Sequence, residues 1–83
     1  MQHRDKVLLE KIISEIDIAA RIMGTKGQAE FLADEILKRA IGMTVINITA
    51  HKYQTLRMED VYMTVRKDFP KLRENLAMIL GEG

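Results

Sequence analysis

The chain has 83 residues, enough for one small domain with one core. Its 13 basic and 12 acidic side chains give a formal net charge of +1, so the overall charge does not favour nucleic-acid binding. The absence of cysteine excludes disulfides, thiolate metal sites and cysteine nucleophiles. No apolar run approaches the ~20 residues of a membrane span, and the first residues do not resemble a secretory signal. We therefore expect a cytoplasmic protein that does not engage a membrane.

Hydrophobic periodicity predicts two long helices in the first part of the chain. Apolar residues recur at steps of three and four from about Arg4 to Met23, and Gly24 is suited to end this helix. A second helix is expected to begin near Gln28 and to continue through Ile48. Its last part is rich in β-branched residues, but we prefer helix to strand because no second strand is predicted to pair with it.

The last third of the chain predicts two shorter helices. Residues 50–55 are polar and are expected to form a helix end followed by a turn. A third helix is predicted from about Leu56 to Lys67, and Pro70 is expected to open a fourth, because proline is tolerated in the first turn of a helix. Together these elements predict one all-α domain over residues 1–83, a small antiparallel bundle of four helices.

The apolar stripes of the four helices predict the core. The residues expected to face it are Leu8, Leu9, Ile12, Ile13, Ile16, Ala19, Ala20, Met23, Phe31, Leu32, Ile36, Leu37, Ala40, Ile41, Met58, Val61, Tyr62, Val65, Leu72, Leu76, Ile79 and Leu80. The segment from Met43 to Ile48 is apolar on several faces, and a chain of this size has few elements to cover it. We therefore expect a homodimer.

His51-Lys52-Tyr53 is the cluster best suited to carry chemistry. Histidine exchanges protons near neutral pH, Lys52 can attract a phosphate, and Tyr53 places a phenol two residues from the imidazole. The same pattern is also typical of a solvated turn. The other histidine is His3, and no carboxylate stands at ligand spacing from either one, so no metal site and no cofactor are predicted.

Basic residues recur in the last third of the chain, at Arg57, Arg66, Lys67, Lys71 and Arg73. Acidic residues alternate with them, which is typical of a solvated helical face. A surface for RNA or for a protein partner is the other interpretation.

Three stretches of the chain follow the pattern of a known family. Residues 4–12 are similar to the family's first helix. Residues 50–53, Ala-His-Lys-Tyr, are similar to the end of its RxxxxHxY motif. Residues 59–72 contain Glu-Asp-Val-Tyr and Lys-Asp-Phe-Pro-Lys-Leu, which resemble its last two helices. Together these stretches cover most of the chain and resemble the HepT-like members of the HEPN superfamily, small helical proteins encoded beside a minimal nucleotidyltransferase (MNT) antitoxin.

This resemblance implies a HepT-like toxin, a metal-independent RNA endonuclease that acts as a homodimer and is neutralised by the MNT partner. By position in the motif, His51 takes the proton-transfer role in catalysis. Tyr53 corresponds to the tyrosine to which the transferase attaches adenylate groups. Asn47 and Lys52 are expected to support the site.

The chain departs from the family pattern at the motif arginine. This arginine should lie five positions before His51, where Ile46 stands, and no arginine lies between Arg39 and Arg57. The family also has a further helix and loop before the His-x-Tyr step, so the resemblance implies that an internal helix is missing near residues 46–53. Either the protein has lost that segment, or the sequence joins residues from its two sides.

The sequence therefore leaves more than one function open. The first is a HepT-like ribonuclease toxin. The alternative is a noncatalytic helical interaction module that dimerises or binds a nucleotidyltransferase, and a third is a structural bundle without a ligand. Loss of one electrostatic contact to the transition state typically lowers a rate by ~10²–10³, so little ribonuclease activity is expected without the motif arginine.

Overall fold

A computed structural model of the chain describes residues 2–49 and 56–82. It contains α1 (His3–Met23), α2 (Gln28–Ala33), α3 (Glu35–Thr49), α4 (Met58–Met63) and α5 (Phe69–Glu82), and a π-helical turn (Thr64–Asp68) joins the last two. No strand occurs in these two ranges. The predicted fold class, a small all-α bundle, is confirmed. No helix in the described part of the chain combines the length and hydropathy needed to cross a membrane.

Helix α1 ends at the glycine that the sequence predicts. Gly24 has a φ of +56°, in the region that favours glycine, and its N–H donates a 3.0 Å hydrogen bond to the carbonyl of Ala20. The chain then turns into α2 at Gln28, as predicted. This turn therefore determines where α2 begins.

The predicted second helix is divided in two at Asp34, so the expectation of one continuous helix is wrong. Asp34 has an extended backbone, with φ −106° and ψ 101°. Its carboxylate Oδ1 accepts a 3.0 Å hydrogen bond from the N–H of Leu37, and it therefore caps the start of α3. Aspartate competes in this way with the helix for backbone donors, which favours a helix boundary over a helix interior.

Helices α4 and α5 form one continuous helical rod from Met58 to Glu82, where two helices separated by a restart were predicted. Pro70 does lie in the first turn of α5. It has no N–H to donate to the carbonyl four residues earlier, and a proline ring crowds that carbonyl. The wider π turn directly before it relieves this conflict, with the N–H of Phe69 donating to the carbonyl of Thr64, five residues back.

Helix α1 lies between α3 and α5 and contacts both. Leu8, near the start of α1, and Ile48, near the end of α3, line one groove, so these two helices run in opposite directions. On its other side α1 meets α5, where Arg73 reaches Asp17. The bundle therefore uses α1 as its central element.

The core draws buried hydrophobic side chains from every helix and from the π turn. They are Ile16, Ala19, Met23, Phe31, Leu37, Ile41, Val45, Val61, Val65, Phe69 and Leu76. Four residues predicted to be core are instead exposed, namely Leu8 at 56%, Ile36 at 83%, Ile79 at 45% and the smaller Ala20. Ile36 faces outward because the boundary at Asp34 resets the helical phase, after which α3 buries Leu37, Ile41 and Val45.

The segment from Met43 to Ile48 is covered more fully within one chain than the sequence suggests. Thr44 and Val45 are buried, Ile46 and Ile48 are half-buried, and Met43 is the apolar residue of the segment that is largely exposed. This segment therefore does not supply the large unpartnered face from which we expected a dimer.

Candidate functional site

A cleft lies between the end of α3 and the helical rod. Its volume is about 580 Å³. Its floor is apolar and includes the buried Val45, Val61 and Phe69. Its polar lining side chains are Thr49, Arg57, Asp60, Thr64 and Asp68. An apolar cleft with a few polar groups is the usual form of a binding site.

The cleft includes the residues that stand on either side of the predicted catalytic cluster in the sequence. Thr49 precedes residues 50–55 and Leu56 follows them, and both line the cleft. His51, Lys52 and Tyr53 themselves lie outside the described residues.

Asn47 and Ile46, the other two motif positions, lie on α3. Asn47 is exposed and lines a separate groove between α1 and α3, together with Leu8, Lys11, Ile12, Glu15 and Ile48. It is not among the residues that line the larger cleft. Ile46 is half-buried and supplies no donor for a phosphate. The described part of the motif therefore contributes no cation to the cleft.

Arg57 is the basic residue that the described structure places at the cleft. It is exposed and lies directly before α4, where its extended backbone, with φ −99° and ψ 127°, leads into the helix. In the sequence this arginine is one of the basic residues of the last third and lies outside the motif. A guanidinium at this point is able to bind a phosphate with two parallel hydrogen bonds.

Two carboxylates accompany Arg57 in the cleft lining. Asp60 and Asp68 are both exposed, one on α4 and the other at the end of the π turn. Neither of them forms a salt bridge with Arg57 within the described residues. One cation and two anions make this lining unfavourable for a polyanion unless a further cation is present.

A second polar cluster is structural. The guanidinium Nη2 of Arg66 donates a 2.6 Å hydrogen bond to the carbonyl of Lys26, and its Cζ lies 5.4 Å from the ring centroid of Tyr62. The Tyr62 ring in turn lies 5.8 Å from that of the buried Phe31. These contacts attach the turn between α1 and α2 to the helical rod.

Two of the basic residues in the last third of the chain are engaged in contacts within the bundle. Arg66 is engaged with Lys26, and Arg73 donates hydrogen bonds of 2.6 and 3.2 Å to the two carboxylate oxygens of Asp17. The hydrogen bond from Arg73 holds the pKa of the Asp17 carboxyl below its usual value, against a smaller opposing effect of burial. Two of the five basic residues therefore serve contacts within the bundle.

No group of three or more His, Cys, Asp or Glu side chains that could hold a metal ion occurs in residues 2–49 and 56–82. Comparison of the chain with protein-family models, with curated proteins and with solved structures finds no match.

Proposed function

We propose that this chain is a HepT-like toxin, a metal-independent RNA endonuclease of the cytoplasm that forms a homodimer and is neutralised by an MNT-type nucleotidyltransferase. One observation carries the proposal. The His51-x-Tyr53 step stands in the sequence between Thr49 and Leu56, and both of these residues line the cleft between α3 and the helical rod.

The chemistry assigned to this site needs one group that moves protons. In the proposed reaction the 2′-oxygen of the RNA attacks the adjacent phosphorus, and the bond from phosphorus to the 5′-oxygen breaks. His51 exchanges protons with the 2′-hydroxyl or with the leaving oxygen, as an imidazole can near neutral pH. Lys52 supplies positive charge near the phosphate, and Asn47 has a supporting role.

The same proposal assigns control of the activity to Tyr53. A nucleotidyltransferase partner attaches adenylate to its phenolic oxygen, which adds a bulky anion two residues from His51 in the sequence. A negatively charged group there opposes the approach of an RNA phosphate.

The proposed enzyme is slow because its motif arginine is missing. Ile46, at that position, is half-buried on α3. Removing one preorganised contact to transition-state charge costs ~10²–10³ in rate, and a lysine replaces it poorly because its ammonium is a point charge without a planar fork. Arg57 in the cleft lining is the described cation best placed to supply part of what is lost.

RNA cleavage by the purified chain tests this proposal. We expect slow cleavage in EDTA that is abolished by His51→Ala and reduced several-fold by Arg57→Ala. Arg39→Ala, which removes an exposed arginine of α3 outside the cleft lining, is the matched control and should leave the rate unchanged. Cleavage that persists in His51→Ala would contradict the catalytic assignment, and robust cleavage by the unaltered chain would contradict the predicted loss of rate.

A noncatalytic interaction module is the second candidate, and the composition of the cleft lining favours it. Asp60 and Asp68 oppose the binding of RNA, while Arg57 is the described cation of the cleft. Such a module would bind a nucleotidyltransferase without cleaving RNA. Adenylylation of Tyr53 by an MNT-type enzyme, tested against Tyr53→Phe, combined with the absence of cleavage would favour this candidate over the ribonuclease.

A further inference from the structure

Helix α1 carries a second stripe of residues on its flank, outside the buried stripe that forms the core. Leu8, Lys11, Glu15, Ile18 and Ile22 follow one another at steps of three and four, so they share one face of the helix. Leu8 is 56% exposed, Ile18 41% and Ile22 39%. An apolar stripe with charges at its centre is unusual for a solvated helix face and typical of a helix contact.

Four residues of this stripe, all but Ile22, are arranged symmetrically along the helix. About a point level with Ile13, Leu8 mirrors Ile18, and Lys11 mirrors Glu15. Each apolar side chain is therefore related to another apolar side chain, and the positively charged lysine is related to the negatively charged glutamate. An isologous contact across a two-fold axis requires this property, because each residue then meets its mirror position on the other copy.

We propose that the α1 stripe is the contact between two copies of this chain, with the two α1 helices packed antiparallel. Leu8 packs on the partner's Ile18, and Lys11 pairs with the partner's Glu15. The two-fold axis repeats both contacts. This assignment deepens the homodimer in the proposed function and rests on that part of it, but it does not require ribonuclease activity.

The charges at the centre of the stripe are available for such a pair. Neither Lys11 nor Glu15 forms a salt bridge with another residue of the described chain. Both line the groove between α1 and α3, and Glu15 is half-buried there. A second copy would exclude water from these charges and so strengthen their attraction.

Helix α3 offers further apolar surface beside the same groove. Asn47 lines the groove. Met43 and Ile36 stand four and eleven residues before Asn47, so all three lie on the same face of α3. Met43 is 51% exposed and Ile36 83%. The proposed contact therefore has an apolar flank on the α3 side, which would enlarge it beyond a single helix pair.

Charge reversal tests the register directly by sedimentation of the full chain. The unaltered chain should be a dimer at about 100 µM. Lys11→Glu and Glu15→Lys should each raise the dissociation constant at least tenfold, because each places two like-charge pairs across the axis. The double variant, K11E with E15K, should restore dimerisation, because every Lys11–Glu15 pair is exchanged and none is lost.

Salt and control variants separate this contact from other causes. Raising the salt concentration to 1 M should weaken the unaltered dimer and lessen the difference between it and Lys11→Glu, since salt screens both attraction and repulsion. Ile18→Asp should yield a monomer. Glu74→Lys and Met78→Asp, which change exposed residues of α5, should leave the dimer intact. Circular dichroism checks that each variant remains folded.

A monomer in the unaltered chain, a dimer indifferent to Lys11→Glu, or a double variant that stays monomeric would each overturn the assignment. Failure of the ribonuclease proposal has a different signature. In that case His51→Ala and the unaltered chain would show the same absence of RNA cleavage, while the charge-reversal series would still behave as expected.

Discussion

Replacing Arg66 tests how the turn between α1 and α2 is attached to the helical rod. Arg66→Ala removes the 2.6 Å hydrogen bond to the carbonyl of Lys26 and the contact with the Tyr62 ring. A hydrogen bond from a charged donor contributes about 1.5–3 kcal/mol, and a cation–π contact at a partly exposed site adds about 0.5–1 kcal/mol. Because Arg66 is half-buried, we expect Arg66→Ala to lower the free energy of unfolding by about 2 kcal/mol, near the lower end of the sum of these two contributions.

Urea unfolding followed by far-ultraviolet circular dichroism measures this loss. A small domain has a total stability of about 5–15 kcal/mol, so a decrease of about 2 kcal/mol gives a clear shift of the midpoint without a change of slope. Arg66→Met separates packing from hydrogen bonding, because methionine retains an aliphatic stem but no donor. We expect Arg66→Met to lower the free energy of unfolding by most of the decrease that Arg66→Ala causes.

Two further variants define what would refute the reasoning. Lys67→Ala removes the exposed neighbouring cation and should change stability by less than about 0.5 kcal/mol. Tyr62→Phe should also cost little, because the hydroxyl lies 3.5 Å from the Lys26 carbonyl, at the limit of a hydrogen bond. If Arg66→Ala costs no more than Lys67→Ala, the attachment of the turn does not depend on this arginine.

Three other predictions concern the bundle. Asp34→Ala should destabilise the fold by about 1 kcal/mol through loss of the α3 cap, whereas Asp34→Asn should be nearly neutral; equal losses in thermal unfolding would contradict the capping role. Ile41→Ala should cost about 2–5 kcal/mol because this side chain is 0% exposed, and Ile36→Ala, at 83% exposure, should cost almost nothing in the same urea assay. The lowered pKa of Asp17 means that its pair with Arg73 stabilises the fold above the ordinary carboxyl pKa of 3.8, and that this contribution is lost as the pH falls through the lower folded value; Asp17→Asn should flatten the acid unfolding curve there, and an unchanged curve would refute the linkage.

The candidate site was only partly accessible to sequence reasoning. The family resemblance directs attention to His51 and Tyr53, which lie outside the described residues. The cleft itself combines the end of α3 with the start of the helical rod, and no local pattern reveals that these segments meet. Arg57 becomes a candidate phosphate-binding residue only because these two segments meet. In the sequence it is one basic residue among several.

Helix boundaries divide into those with local causes and those with distant ones. Gly24 ends α1 through its own backbone freedom, and this is visible in the sequence. Asp34 also acts locally, through its carboxylate and the N–H of Leu37, but its signal is weak because aspartate is common on solvated helix faces. At Pro70 the local rule correctly predicts a first-turn position. Whether a loop or a π turn precedes it depends on how the rod packs, with Val65 and Phe69 both buried.

The sequence by itself determined that the chain is helical, because apolar spacing at three and four residues is a property of each segment alone. It also identified the inner stripe of α1, since Ile16, Ala19 and Met23 are buried as predicted. Only the tertiary structure decided that Leu8 and Ile36 face outward and that Phe69 is buried. The period of a helix specifies which residues share a face, whereas the faces that are covered depend on which helices meet and on the phase with which each one begins.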